Sequence, residues 1–200
     1  MKVELDDVMY WMDAIRNSED KYRTLESFWK GQLNSKVWLV DNLRKIQNEK
    51  WNDITIHGGW NGVLASLIFN SEIKVDKILS IDIDPECEKT ARTVNKRYFR
   101  EGRFAAITCD MCDFDYQSDV VINTSCEHIT QEQYVLWLSK QAKNSLIVLQ
   151  SNNYFDHEEH VRCAKDVDQF IDQSSIIPLF ADKLKTEKYD RFMIIGKKCE

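Results

Sequence analysis

Over the first fifty residues apolar side chains recur at helical spacing: Val8, Trp11, Met12 and Ile15, then Tyr22, Leu25, Phe28 and Trp29, then Val37, Leu39, Val40, Leu43 and Ile46. Stripes of that period suit amphipathic helices. Three helices are predicted, with breaks near Asn17-Ser18 and between Gly31 and Ser35. From Asp53 onward short β-rich apolar runs alternate with helical stretches, the pattern of a parallel sheet with crossover helices. The predicted strands are Ile54 to His57, Lys77 to Ile81, Arg103 to Cys109, Asp119 to Thr124 and Ser145 to Gln150. Helices are expected to begin near Asn61, Pro85, Thr130 and Glu158, and Asp84-Pro85 combines a capping residue with proline at the first helical position. Ser175 to Ala181 and Arg191 to Gly196, separated by the charged stretch Asp182 to Asp190, read as two closing strands.

The fold class that follows is α/β: a seven-stranded, mostly parallel sheet with helices on both faces and an antiparallel last strand, preceded by N-terminal helices. Two hundred residues with 43% hydrophobic content supply one substantial core. Residues 1–50 are expected as a helical extension packed on the same domain, and 51–200 as the α/β domain proper. Two prolines (Pro85, Pro178) and six glycines give no sign of an interdomain hinge.

Charge changes the picture of partners. A net charge of −6 argues against a nucleic acid or an anionic membrane as partner. The basic stretch Lys89, Arg92, Lys96, Arg97, Arg100 and Arg103 is expected on one helix and its exit, where such a run is ordinarily a solvated face. The N-terminus is acidic from Glu4, with no apolar export segment, and no apolar run approaches the roughly 18 residues that span a bilayer. A cytoplasmic protein is expected, and its oligomeric state is not legible. Of six cysteines, Cys109 and Cys112 have CxxC spacing without companion ligands, so no metal site is assigned there. The pair His157 and His160 could hold a metal or be plain solvated surface.

Three strand ends carry candidate chemistry. Ile54-Thr55-Ile56-His57-Gly58-Gly59-Trp60-Asn61-Gly62 is a strand running into a glycine-rich turn that opens a helix, where glycine admits positive φ and close approach of a ligand. About twenty residues on, Asp82 and Ile83 end the second strand, and a carboxylate there can accept both ribose hydroxyls of a nucleotide. Asp84 reads as the helix cap. After the third strand, Asp110 can bond an adenine amino group and Met111 can pack on the ring.

Taken together, the glycine turn, Asp82, Asp110, the strand Asp119 to Asn123 and the final strand pair resemble the class I S-adenosylmethionine-dependent methyltransferases over about residues 50 to 198. The resemblance implies S-adenosyl-L-methionine as cofactor, held by Gly58, Gly59, Trp60 and Gly62 at its methionine part, by Asp82 and Ile83 at the ribose and by Asp110 and Met111 at the adenine, with Asn123 beside it. The chain departs from the family's pattern at Ile56, where an acidic residue is usual, and at Trp60, where a small one is. An anchor for the methionine ammonium is therefore missing: either a group from the N-terminal helices replaces it, or the pocket prefers a different ligand.

Ligands of open α/β sheets bind outside the carboxyl ends of the strands. Glu127 and His128 after the fourth strand can serve as a base, or as a pair opening the next helix. Asn152, Asn153 and Tyr154 after the fifth can orient a substrate, His157 is a further catalytic candidate, and all four histidines (His57, His128, His157, His160) follow strand ends. Asn123-Thr124-Ser125-Cys126 is not the Asn/Asp-Pro-Pro-aromatic motif of nucleobase amino-methyltransferases, which argues against DNA-adenine methylation; the leading expectation is a methyltransferase acting on a small molecule. Three other readings stay open: a non-catalytic adenosyl-ligand binder, an enzyme using S-adenosylmethionine for another reaction, and an NAD-dependent oxidoreductase, whose GxGxxG the loop does not form.

Overall fold

The computed structural model describes residues 1–199. Its elements are α1 (Leu5–Asn17), α2 (Lys21–Glu26), α3 (Lys30–Ile46), β1 (Trp51–His57), α4 (Val63–Phe69), β2 (Val75–Asp82), α5 (Pro85–Val94), α6 (Lys96–Arg100) and β3 (Phe104–Thr108) in the first half. β4 (Val120–Asn123), a 3-10 turn (Cys126–His128), α7 (Gln131–Lys140), β5 (Leu146–Asn152), α8 (Val167–Ser174), β6 (Ile176–Lys185) and β7 (Asp190–Lys198) follow. The strand order is β3-β2-β1-β4-β5-β7-β6 in a seven-stranded sheet. β1, β2 and β3 pair in parallel, as do β4 and β5, while β7 runs antiparallel to both β5 and β6. The expected mixed sheet with its antiparallel last strand is the one that forms.

The chain divides into two compact units, residues 1–111 and 112–200. In the first, β1 is buried over its last four residues, a continuous run as expected for a strand covered on both faces. Ile54, Ile56, Ile68, Ile78 and Ile81 form its centre with Leu39 and Leu43 of α3. Asp7 of α1 is buried and accepts from Arg97 at 2.8 Å, and the Trp11 indole donates to Ser66 Oγ at 3.1 Å. Phe69 stacks on Tyr98 at 4.1 Å, with the Arg103 guanidinium 5.0 Å from the Phe69 ring.

These contacts correct the expected single basic helix. It breaks at Asn95, and three of its cations are engaged within the unit: Arg92 with Glu88, Arg97 with Asp7, and Arg103 with the Phe69 and Tyr98 rings. A second correction concerns Gly31, which lies inside α3 and not in a break. It occupies the exposed first turn of that helix, where a glycine costs little, and the break falls at 27–29.

In the second unit all seven residues of β5 are buried, facing Phe192 to Ile195 of β7. Thr130 and Gln133 form a reciprocal capping box that starts α7. The Tyr134 hydroxyl donates to the Ser174 carbonyl at 2.6 Å, tying α7 to the end of α8. β6 runs to Lys185, beyond the expected Ala181, and accommodates Pro178 at an edge with a register shift before Phe180.

The helix expected from Glu158 does not form. The amides of Val161 and Arg162 both donate to the Glu127 carbonyl, and that of Ala164 donates to Asn152, so the segment is held as irregular chain. α8 starts at Val167, where Asp166 accepts from the Gln169 amide.

Candidate active site

In the first unit the glycine turn is tied to the end of β2. The Trp60 amide donates to Asp82 Oδ2 at 2.7 Å, the Asp84 amide donates to Asp82 Oδ1 at 3.1 Å, and Gly59 N donates to the Ile81 carbonyl at 2.9 Å. Glycine is required at two points for different reasons. A Cβ on Gly59 would lie 2.0 Å from Ser80 Oγ, and Gly62 has φ +71 with Ala91 of α5 packed against it. Trp60 itself has φ +47, a left-handed backbone that is costly for a bulky side chain and that tends to mark ligand-binding turns.

Trp60 lines a cleft of about 450 Å³ together with Tyr22, Leu25, Glu26 and Trp29 of the N-terminal helices, and with Gln32. The Lys36 ammonium stands 5.9 Å from the Trp60 ring. The cleft brings in residues that periodicity had marked only as a core stripe: Tyr22, Leu25 and Trp29 are exposed large side chains facing open space. Their exposure, at a period that predicted burial, is legible only in three dimensions.

Asp84 is the cap of α5, accepting from the Glu86 amide at 2.9 Å, a bond that with its Arg23 partner holds the carboxyl below the ordinary range. Ile83 is exposed, and Asp110 and Met111 are half-buried beyond the end of β3. His57 is buried at the end of β1, and burial pushes its pKa down to about 4, so it is neutral at pH 7. Ile56, in the position where an acid is usual, is buried.

In the second unit, Asn123 at the end of β4 turns its Oδ1 back on the Ser125 amide at 2.9 Å and is fully buried. Glu127 is buried as well. Its Oε1 accepts from Arg191 at 2.6 Å and from Asn152 at 2.8 Å, while Oε2 is buried with no hydrogen-bond partner. His128 is 39% exposed at its side chain, and partial burial lowers its pKa.

The irregular chain after β5 brings three more rings to His128. The His128 and His160 rings lie 4.8 Å apart edge to face, His157 stacks on His160 at 4.6 Å, and Tyr154 meets His160 at 5.9 Å. Tyr154 also stacks on Tyr189 at 5.6 Å. One ligand-capable atom each from Glu127, His128 and His160 fall within 4.8 Å of one another. Of the expected residues, Glu127, His128, Tyr154 and His157 are therefore neighbours. Arg191 was missed, since one arginine opening an apolar strand reads as an edge residue.

Solved structures with the same architecture include a magnesium protoporphyrin IX methyltransferase from Synechocystis PCC 6803 with bound S-adenosylmethionine, at TM-score 0.68 and 12% identity, covering 99% of this chain and 100% of that one. The fold is that of a class I S-adenosylmethionine-dependent methyltransferase. The pyocyanin biosynthetic protein PhzM matches at TM-score 0.66 and 12% identity, over 94% of this chain and 62% of its own. A ribosomal protein methylase from Lactobacillus delbrueckii subsp. bulgaricus matches at TM-score 0.57 and 14% identity, over 82% of this chain and 79% of its own. No protein-family model matches the sequence, and no curated protein does. Among the described residues no helix is long and apolar enough to cross a membrane.

Proposed function

We propose that this chain is a cytoplasmic S-adenosylmethionine-dependent methyltransferase acting on a small molecule. The observation that carries the reading is the tie between the Trp60 amide and Asp82, which fixes a glycine turn against a strand-end carboxylate. Asp82 suits a ribose: each of its oxygens accepts one backbone amide, and a carboxylate has lone pairs for two further donors. Gly58, Gly59 and Gly62 give the ligand access to the turn backbone, Ile83, Asp110 and Met111 are assigned to the adenosine, and Asn123 keeps the end of β4 in shape.

The methionine end is different from the family's pattern. Ile56 cannot receive an ammonium, whereas Glu26 lines the cleft beside Trp60 and carries the needed charge. We assign the ammonium to Glu26 and the adjoining methionine side chain to Trp60. The bound cofactor would supply an electrophilic methyl group on a sulfonium centre.

In the second unit, Glu127, His128, Tyr154 and His157 are assigned to the acceptor. Lone pairs of Glu127 Oε2 and the His128 imidazole assist its loss of a proton, and Tyr154 and His157 present flat faces and polar tips that orient it. A small acceptor is supported by two neighbours that act on a porphyrin and in pyocyanin synthesis; the ribosomal protein methylase has the same fold with a different acceptor.

Calorimetric titration with S-adenosylmethionine and with its demethylated product tests the reading. Micromolar binding of either is expected. Absence of binding at millimolar ligand would remove the cofactor and with it the proposed activity.

A further inference from the structure

The three-sided group Glu127, His128 and His160 has the makings of a metal centre. Glu127 is 2% exposed and its Oε2 has no partner, an unfavourable arrangement for a buried carboxylate unless something positive or donating meets that oxygen. Arg191 and Asn152 hold the other oxygen and so fix the direction of the free one. They do for this carboxylate what outer partners do for ligands in known metal sites.

The tautomer of His160 is set by the backbone. Its Nδ1 lies 2.7 Å from the Tyr154 carbonyl oxygen, which can only accept, so Nδ1 carries the hydrogen and Nε2 is left with a bare lone pair. The Cys163 thiol meets Asn152 Oδ1 and the Tyr154 carbonyl, both at 3.4 Å, and His160 on its Nδ1 side at 3.8 Å, away from the free Nε2. Glu159 adds a negative charge 3.9 Å from His128 Nδ1.

Two imidazoles and one carboxylate select a borderline divalent ion of the zinc type over magnesium or calcium, which prefer all-oxygen cages. Bonds of about 2.0–2.2 Å at tetrahedral angles place donors roughly 3.4 Å apart. Ligand atoms now within 4.8 Å must therefore close by up to about 1.4 Å, and His128, on a half-exposed side chain, has the freedom to move. The Arg191 guanidinium opposes a dication and limits its affinity, yet three protein ligands with an open position match the catalytic form of such sites.

We propose that Glu127 Oε2, His128 and His160 Nε2 bind one zinc-type divalent ion, leaving a coordination position for water or an acceptor oxygen. The inference deepens the acceptor side of the reading above. The ion would then be the means by which these lone pairs promote proton loss, with His128 as ligand.

The test is titration of chelator-stripped full-length protein with zinc alone by calorimetry, and with cobalt(II) by visible absorption. One equivalent is expected to bind, with a cobalt spectrum of four- or five-coordinate type. Replacing a ligand in His160→Ala should weaken zinc at least about 100-fold, while His157→Ala, outside the group, should change it less than about threefold. Absence of stoichiometric zinc binding, or binding unchanged in His160→Ala, would overturn the site. S-adenosylmethionine titration in the presence of chelator separates the two claims: cofactor binding without zinc binding refutes the ion alone, and zinc binding without cofactor binding refutes the methyltransferase reading alone.

Discussion

The Trp60 amide and the Asp82 carboxylate, 2.7 Å apart, lock the glycine turn after β1 to the end of β2, the neighbouring parallel strand. A charge-assisted bond of this kind orders a turn whose backbone, with positive φ at Gly58, Trp60 and Gly62, has no regular ladder to hold it. The proposed ribose binding and the order of the turn are thus loaded on one side chain.

Asp82→Ala is expected to weaken S-adenosylmethionine by about 1.5–3 kcal/mol, the range for hydrogen bonds involving a charged group. Calorimetry on the folded variant reads this directly. Unaltered affinity would take the ribose away from Asp82.

Glu26→Gln addresses the ammonium. Glu26 is exposed, so its ion pair is worth at most about 1 kcal/mol, a loss of up to about fivefold in affinity. The difference between wild type and variant should shrink as salt is raised, because exposed charges are screened. An equal affinity at low salt would leave the ammonium without this partner.

His57 sets a pH dependence on stability. Its folded pKa is about 4 against 6.5 in the unfolded chain, so between these values the unfolded state binds the proton and the folded state does not. The neutral ring's contribution is complete above pH 6.5 and is lost as pH falls toward 4, a change of about 3 kcal/mol at most. In His57→Gln, urea midpoints measured across that window should show a correspondingly flatter pH slope than wild type. Identical slopes would contradict the assignment.

Arg191→Met should destabilise the fold by about 3–5 kcal/mol, because it leaves the Glu127 carboxylate buried without its cation. Adding Glu127→Gln to Arg191→Met should recover part of that loss, which denaturant unfolding of the single and double variants would measure. A double variant no more stable than Arg191→Met would argue that packing, and not charge, is what Arg191 contributes.

Most of the sheet was legible because strand and helix periods differ and because Asp84-Pro85 and Thr130 to Gln133 announce helix starts by local chemistry. The failures lie where a distant partner decides. Residues 158–166 carry helix-compatible spacing, yet the Glu127 carbonyl captures two of their amides. Likewise Glu127 reads as a base or a helix-opening residue until Arg191, 64 positions away, is seen to pair with it. The places of the glycine turn and Asp82 were visible because both lie next in sequence to a strand end, whereas the histidine group depends on how an irregular segment folds back.

His128 is the side chain on which the acceptor chemistry can be tested with least disturbance, since it is half-exposed and, unlike Glu127, makes no buried ion pair. Whether it takes a proton itself or lends its lone pair to an ion, removing the ring removes the assistance. His128→Ala should lower turnover by about 10² to 10⁴, the usual span for general acid-base assistance, with S-adenosylmethionine affinity almost unchanged. The two roles separate in the pH profile: a base shows an acidic limb that follows the His128 pKa, which burial holds below its ordinary value, and His128→Ala abolishes that limb. An ion-assisted step instead regains activity when zinc is added to stripped wild type but not to His128→Ala. Near-normal turnover in the folded variant would leave His128 as a residue of the turn before α7, with no part in the reaction.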